Sequence, residues 1–184
     1  NNLLNLHFFK SREKTQFVLS LSTIEPFKFI NSSYSIDIYK EAVISSGDLS
    51  NLSPTNRGIR TMSKSYAEEN GFEDVLLLNE QKNIVESLVG TLYLLQGNQI
   101  LTPCLESGCQ DFTYRSAFNK WINTKQTIYS LIENDLNSFE LQKSEEVMIL
   151  SLEKGFQSVS NYRKTTYPQR KAEEIFKAFS VSFF

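Results

Sequence analysis

Histidine and cysteine, which build many catalytic and metal-binding sites, are scarce in this chain. His7 is its one histidine, and Cys104 and Cys109 are its two cysteines. This count excludes a multi-histidine metal site and a histidine-based catalytic triad. Four residues separate the two cysteines and no histidine lies near them, which is a poor zinc signal. We interpret them as free thiols of a cytosolic protein and predict no metal site.

Residues 72–115 form the most informative stretch of the sequence. An apolar run at residues 75–78 predicts a strand, and a second short strand ends at the acid Glu86. A hairpin follows with its turn at residues 96–99, and then a Thr-Pro pair and a glycine turn at Gly108. A helix is predicted to open directly after that turn.

The N-terminal half contains the elements that lead into this stretch. Residues 15–22 and 34–44 have the β-branched, aromatic and alternating character of strands. Residues 45–55 are rich in Ser, Gly, Asp, Asn and Pro, which indicates an exposed loop. A helix is predicted from a cap at Asn56 to a stop at Gly71, with Ile59, Met62 and Ala67 on one face.

The C-terminal half is predicted to contain two helices and two late strands. Apolar spacing favours a long amphipathic helix at residues 115–136, strands at 147–150 and 156–159, and a closing helix at 169–179. Strands and helices mix without strict alternation, so we expect an α+β or αβ-barrel-like domain. The strands at 75–78, 84–86 and 91–95 should pair in one curved sheet, with the helix at 115–136 packed on it.

The order of these elements resembles the C-terminal domain of the fold-type IV pyridoxal-phosphate enzymes. That family includes class IV aminotransferases, branched-chain and D-amino-acid aminotransferases, and aminodeoxychorismate lyases. Residues 155–167 (GFQSVSNYRKTTY) are similar to the family's closing segment, G-[IF]-Q-x-V-x-x-[YF]-R-x-x-x-Y, in order and spacing. The resemblance implies that residues 1–184 form one D-amino-acid aminotransferase-like large domain, a curved mixed sheet with packed helices, and that the family's small N-terminal domain lies outside this chain.

The resemblance also implies a Schiff-base lysine, in a K-x-x-N-[YR] motif that falls on residues 53–57, SPTNR. Ser53 occupies the lysine position, and a serine hydroxyl cannot form an imine. Arg57 completes the Asn-Arg pair in the form seen in aminodeoxychorismate lyases. The flanking lysines are Lys40 and Lys64, and we expect Lys64 to be a solvated surface residue.

Glu86 corresponds to the family's glutamate that hydrogen-bonds the pyridine nitrogen of the cofactor. An ordinary polar residue at a strand end is the alternative interpretation. We expect Arg57 and Glu86 to face one shared cleft, where they could orient a small amino-acid or carboxylate ligand. Alternatively, each of them pairs with a neighbour on the surface.

The resemblance places the cofactor's phosphate on Thr113, Tyr114 and Ser151. The family's glycine turn reads G-x-L-x-G-[IV]-[TM]-R, and its small residues let backbone N–H groups reach the phosphate. Here Phe112 stands at the second glycine, and Asp111 adds negative charge beside it. Tyr114 takes the hydroxyl position with much more bulk. These changes together indicate a site that is no longer held to phosphate geometry.

Three interpretations of function follow. The residues favour a class IV homologue that lacks catalysis dependent on pyridoxal 5'-phosphate and serves as a binding or partner subunit. The alternative is an active aminotransferase or 4-amino-4-deoxychorismate lyase acting on amino acids or chorismate derivatives. A third, altered chemistry in the old cleft without the cofactor, has no residue in its favour.

Composition limits the partners. The chain has 184 residues and a net charge of −2, so no nucleic-acid surface is expected. No apolar run approaches the length of about 20 residues that spans a bilayer, so no membrane is expected either. The resemblance implies a homodimer, and we expect a cytoplasmic protein.

Overall fold

Two mixed β-sheets packed face to face form the centre of the protein. The computed structural model describes residues 2–23, 27–30, 32–47, 49–52, 57–125 and 128–183. In chain order its strands are β1 Asn2–Lys10, β2 Thr15–Thr23, β3 Phe29–Ile30, β4 Ser35–Ile38, β5 Asp74–Leu78, β6 Ile84–Ser87, β7 Thr91–Gln96, β8 Gln99–Pro103, β9 Ser130–Asn134, β10 Glu146–Ser151, β11 Gly155–Ser158, β12 Asn161–Tyr162 and β13 Thr165–Thr166. The α-helices are α1 Gly58–Asn70, α2 Thr113–Thr124, α3 Ser138–Lys143 and α4 Arg170–Phe183.

The strands divide among three sheets. One sheet has five strands in the order β13–β12–β4–β5–β6, and another has six in the order β3–β11–β10–β7–β8–β9. Strands β1 and β2 form a separate antiparallel ribbon. Parallel pairs joined through helices, β4 with β5 and β8 with β9, occur beside antiparallel hairpins. The predicted α+β class, with a mixed sheet and packed helices, is therefore confirmed.

The apolar core lies in three layers. Between the two large sheets, Ile36 and Leu76 of the five-stranded sheet share a cluster with Leu92 and Ile149 of the six-stranded sheet. The outer face of the six-stranded sheet packs on α2 and α4, and that of the five-stranded sheet packs on α1. The order of layers is thus helix, sheet, sheet, helix.

The prediction that β7 shares a sheet with β5 and β6 is wrong. Strands β5 and β6 pair with each other, whereas β7 pairs with β8 and β10 in the six-stranded sheet. Leu92 and Leu94 of β7 face the inter-sheet core, and Tyr93 and Leu95 face the helices. Because both faces are covered, the strand is a continuous apolar run and its residues do not show which sheet it joins.

The predicted helix at 115–136 is also wrong in its second half. Helix α2 ends at Thr124, and the chain then forms β9 parallel to β8. Ile128, which extended the predicted apolar stripe, is exposed, and Leu131 lies on β9 opposite Ile100. A pairing between distant segments therefore overrides the local helical pattern.

The remaining elements were predicted with small shifts at their ends. Strands β2, β10 and β11 and helices α1 and α4 are confirmed, although Met62 of α1 is exposed and not on the buried face. The strand predicted at 34–44 is shorter, because β4 ends at Ile38 and only Ile44 makes a further bridge, to Asn79. The cap predicted at Asn56 lies outside the described residues.

Gly90 marks the point where the chain crosses from one large sheet to the other. A Cβ atom built on Gly90 would lie 2.2 Å from the carbonyl oxygen of Leu150 and 3.1 Å from the Cα atom of Ser151. No side chain fits that gap without moving backbone atoms. The seam between β7 and the end of β10 therefore requires glycine.

Candidate functional site

Strand β6 presents Glu86 to the underside of helix α1. Glu86 pairs with Leu77 of β5, and the register shifts just beyond this pair, at Leu78. The Glu86 side chain turns to the helix, where the guanidinium of Arg60 donates a hydrogen bond to Oε1. Arg60 lies on the same face of α1 as the buried residues Ser63 and Ala67, three and seven positions later.

The carboxylate of Glu86 is held on both oxygens by groups of this chain. Its side chain is 1% exposed, Arg60 binds Oε1, and the backbone N–H of Gln110 donates to Oε2 at 3.0 Å. Burial raises the pKa of Glu86, while the positive charge of Arg60 and the Gln110 amide oppose that rise. The site thus holds a buried carboxylate with a cation beside it.

The turn that carries Gln110 is fixed by Asn51. The side-chain amide of Asn51 donates to the carbonyl oxygens of Leu105 and Cys109 at 2.8 and 2.7 Å, and the backbone carbonyl of Asn51 accepts from the Asp111 N–H at 3.0 Å. Gly108 makes this turn with φ 101°, a left-handed conformation that favours glycine. The loop before α1 and the glycine turn are therefore one unit around Glu86.

The start of α2 carries a carboxylate of its own. Asp111 Oδ1 accepts from the hydroxyl of Ser116 at 3.0 Å and lies 3.7 Å from the guanidinium of Arg115. The N-terminal end of a helix favours an anion because the helix dipole is positive there. At α2, Asp111 already places a negative side chain at that end. Phe112, the N-cap residue, makes no side-chain capping bond.

The three residues predicted to contact phosphate have different surroundings. Thr113 is exposed at the first turn of α2. The ring of Tyr114 packs on Phe27, with 4.7 Å between ring centroids, in the aromatic cluster under α4. Ser151 is buried at the end of β10, and its hydroxyl accepts from the N–H of Lys154 at 3.2 Å. Tyr114 and Ser151 therefore make contacts within the fold, Tyr114 through its ring and Ser151 through its hydroxyl.

The lysine motif is only partly visible in the structure. Ser53 lies outside the described residues, so its predicted place in the site stays a prediction. Arg57 is exposed at the start of α1, and its carbonyl accepts from the N–H of Thr61 at 2.9 Å. Lys64 forms a surface pair with Glu68 at 3.8 Å, which confirms its solvated role. The shared cleft of Arg57 and Glu86 stays a prediction.

A second polar network fixes the base of α2. Arg115 donates to the carbonyl of Pro103 at 3.0 Å and to Glu133 at 2.5 Å, and its side chain is 4% exposed. Asn119 links Glu133 to the hydroxyl of Tyr93. These bonds attach α2 to β7, β8 and β9, and they hold the start of the helix in place.

Sequence comparison identifies the family of this chain. The model of amino-transferase class IV matches residues 5–162, most of the chain. The chain belongs to the class IV aminotransferase family. No protein with a curated functional assignment matches this class IV domain significantly.

Solved structures resemble the class IV domain at low identity. A hypothetical aminotransferase from Mycobacterium tuberculosis, in its apo form, superposes with a TM-score of 0.79 at 16% identity, over 100% of this chain and 69% of that one. A candidate 4-amino-4-deoxychorismate lyase from Legionella pneumophila gives 0.76 at 16% identity, over 91% and 61%. An aminotransferase from Brucella abortus bound to the cofactor PLP gives 0.76 at 13%, over 92% and 60%.

These likenesses establish the fold of the domain. The chain spans about 60% of the length of the first solved structures that it matches. Among the residues that the structure describes, no group of three or more His, Cys, Asp or Glu side chains could hold a metal ion. No helix in the same part of the chain is long and apolar enough to cross a membrane.

Proposed function

We propose that this class IV domain is a homologue without pyridoxal-phosphate catalysis, which serves as a binding subunit for a small amino-acid or carboxylate ligand. The observation that carries the proposal is Asp111, whose carboxylate lies beside the first turn of α2. A phosphate group seated on Thr113 and Tyr114 would meet that charge. The repulsion between a phosphate dianion and a nearby carboxylate opposes binding.

Two further features support the loss of the cofactor. The ring of Tyr114 packs on Phe27, so a bulky side chain stands at the position where the family has a small hydroxyl residue. The family register places Ser53 at the lysine position, and the described lysines nearest to it in sequence, Lys40 and Lys64, are both exposed. The residues present therefore fit pyridoxal phosphate neither at its phosphate nor at its aldehyde.

The Arg60–Glu86 pair supports a ligand role for the remaining site. A guanidinium can bind a carboxylate through two parallel hydrogen bonds. The Arg60 side chain is 14% exposed, and its contact with Glu86, which the Gln110 N–H also binds, fixes the orientation of its guanidinium. A small carboxylate would contact Arg60 from the solvent side.

Incubation with pyridoxal phosphate, borohydride reduction and peptide mass mapping tests the loss of the cofactor. We expect scattered, substoichiometric labelling of exposed lysines, and the same pattern in Lys64→Arg. An active class IV aminotransferase treated in parallel should give one labelled lysine. A stoichiometric adduct at a single position of this chain would overturn the proposal in favour of an aminotransferase or lyase.

Restoring the lost groups provides the converse test. The variant Ser53→Lys, combined with Asp111→Gly, returns an amine and removes the charge. If the register is correct, reduction should now trap the cofactor on position 53. If labelling at position 53 does not increase, Ser53 no longer supports the loss of the cofactor.

A further inference from the structure

The turn that joins β8 to α2 carries both cysteines of the chain. Cys104 directly follows β8 and precedes a short 3₁₀ turn at Leu105–Ser107, and Cys109 follows Gly108. Both are free thiols, of which Cys104 is half-exposed and Cys109 is buried. Because only a few residues of chain join the two cysteines, they stay near each other in every conformation of the turn.

The sulfur of Cys109 lies against the backbone of Cys104. The Cys109 thiol donates to the carbonyl oxygens of Cys104 at 3.3 Å and Pro103 at 3.6 Å. The sulfur of Cys104 lies 3.0 Å from the hydroxyl oxygen of Ser107, and that hydroxyl donates to Asp135 at 2.5 Å. A bond between the two sulfurs therefore requires the half-exposed Cys104 side chain to leave Ser107.

We propose that Cys104 and Cys109 form a redox modification site, in which a small disulfide of the glutathione class oxidises them to an intramolecular bridge. In the first step the thiolate of Cys104 attacks one sulfur of the small disulfide, whose S–S bond breaks, and one small thiolate leaves. In the second step the thiolate of Cys109 attacks the Cys104 sulfur of this mixed disulfide and expels the other small thiolate. The two cysteines lose two protons and two electrons in total, and the small disulfide gains them as two thiols.

The exposure of the two sulfurs determines the order of attack. Cys104 is half-exposed, so a small disulfide reaches it, whereas Cys109 is buried. Burial raises the pKa of Cys109 to about 12, so roughly one molecule in 10⁴ carries its thiolate at pH 8. Cys109 is therefore inert toward a reagent in solution, but a mixed disulfide on the same turn is held beside it at a high local concentration. Cys104 is thus the attacking residue and Cys109 the resolving residue.

A bridge changes the surroundings of Glu86 through the residue next to Cys109. In the reduced turn the carbonyl of Cys109 accepts from Asn51 at 2.7 Å, and the N–H of Gln110 donates to Glu86 at 3.0 Å. A disulfide sulfur carries no proton, so the Cys109 thiol loses both of its carbonyl acceptors, and its sulfur must come within about 2 Å of the partner sulfur. This movement draws Cys109 out of the apolar cluster under α1 and releases the Gln110 N–H from Glu86. Any effect of that release on a carboxylate ligand at Arg60 rests on the proposed function.

Oxidised glutathione, added to the 184-residue chain with samples quenched in acid, tests the chemistry. Intact mass and disulfide mapping should show a mixed disulfide at Cys104 first and the Cys104–Cys109 bridge later. Cys109→Ser should stop at the mixed disulfide, and Cys104→Ser should form neither product. A wild-type chain that stays at the mixed disulfide, or an adduct on Cys109 in Cys104→Ser, would overturn the proposal. The wild-type time course decides the point even if Cys109→Ser does not fold.

Hydrogen–deuterium exchange of the oxidised and reduced chains tests the coupling to Glu86. The Gln110 amide should exchange about tenfold faster in the oxidised chain, as expected for loss of a hydrogen bond to a charged group, and a reductant should reverse the change. The matched control is the Ala172 N–H, which binds the buried carboxylate of Glu146 and should exchange equally in both states. An equal rate for Gln110 in the two states would overturn the coupling. Both experiments omit any ligand, so failure of the proposed ligand role would leave their results unchanged.

Discussion

The guanidinium of Arg60 lies directly against the buried carboxylate of Glu86 and joins α1 to β6. The Gln110 N–H binds the other carboxylate oxygen, so the helix, the strand and the glycine turn meet at one side chain. A buried pair of this kind is costly to break from one side, because the remaining charge has no partner.

Arg60→Met should therefore lower the free energy of unfolding by about 3 kcal/mol, measured by urea denaturation. Lys64→Met, one turn later on α1, removes an exposed cation and should change it by less than about 0.5 kcal/mol. Adding Glu86→Gln to Arg60→Met removes the buried charge and should recover part of the loss. If Arg60→Met and Lys64→Met change the free energy of unfolding equally, the buried carboxylate of Glu86 does not depend on Arg60.

Asp74 should make the stability depend on pH. It is buried on β5, where Tyr34 donates to Oδ2 at 3.2 Å and the N–H groups of Val75 and Leu88 donate to Oδ1. Burial raises the pKa of Asp74 from its usual 3.8 to about 6. The folded state therefore binds this proton more tightly than the unfolded state, and stability from this group rises as pH falls through 6 toward 4.

Asp74→Asn removes that dependence. At pH 8 the variant should be more stable than the wild type by up to about 3 kcal/mol, and the difference should vanish near pH 4. Urea denaturation at five pH values measures it. A difference that is constant with pH would mean that Asp74 does not titrate as the buried geometry indicates.

Glu146 should anchor the last helix. Its carboxylate accepts the N–H groups of Arg170 and Lys171 at 2.9 and 2.8 Å and that of Ala172 at 2.7 Å, at the N-terminus of α4. Glu146→Gln should cost about 2 kcal/mol of unfolding free energy, because hydrogen bonds to a charged, buried acceptor are strong. Glu145→Gln, at the neighbouring residue that pairs with Lys171 on the surface, should change the free energy of unfolding much less, because solvent screens that pair.

The two thiols should differ in reactivity. Cys104 is half-exposed, whereas Cys109 is buried with its Sγ 3.3 Å from the carbonyl oxygen of Cys104. Burial raises the pKa of Cys109 to about 12, so little thiolate forms at pH 8. A thiol-reactive chromophore should titrate one group in the native protein and two in urea, and Cys104→Ser should abolish the native reaction. Rapid native labelling of Cys109 would contradict the buried geometry.

The sequence predicted elements best where one local pattern decided them. Helix α1 was found because an apolar stripe ends at Gly71, whose left-handed conformation caps the helix. Strand β9 was missed, because its pairing with β8 is a contact between distant segments that residues 125–136 do not encode locally. The partition of β6 and β7 between two sheets was missed for a similar reason. Both strands are buried on each face, so alternation could not distinguish them.

The roles assigned to the site residues stay predictions. Glu86, placed by the resemblance at the cofactor's pyridine nitrogen, is buried and hydrogen-bonded on both carboxylate oxygens. The cation that pairs with Glu86 is Arg60, which the family motif does not mark. The signal was present, since Arg60 follows the spacing of the buried residues Ser63 and Ala67. Asn51 had no such signal, because only the folded loop brings it onto the glycine turn.

Gly90 gives the seam between β7 and the end of β10 an unusual mutational signature. The gap there, 2.2 Å from a built Cβ to the Leu150 oxygen, is too narrow even for alanine. In a library of all substitutions, position 90 should therefore tolerate the smallest replacements no better than the largest. If side-chain volume alone mattered at a position, tolerance would instead fall gradually as the replacement side chain became larger. Position 90 thus acts as a fixed spacer, and any relative of this domain that carries a side chain there must have moved the end of β10 away from the start of β7.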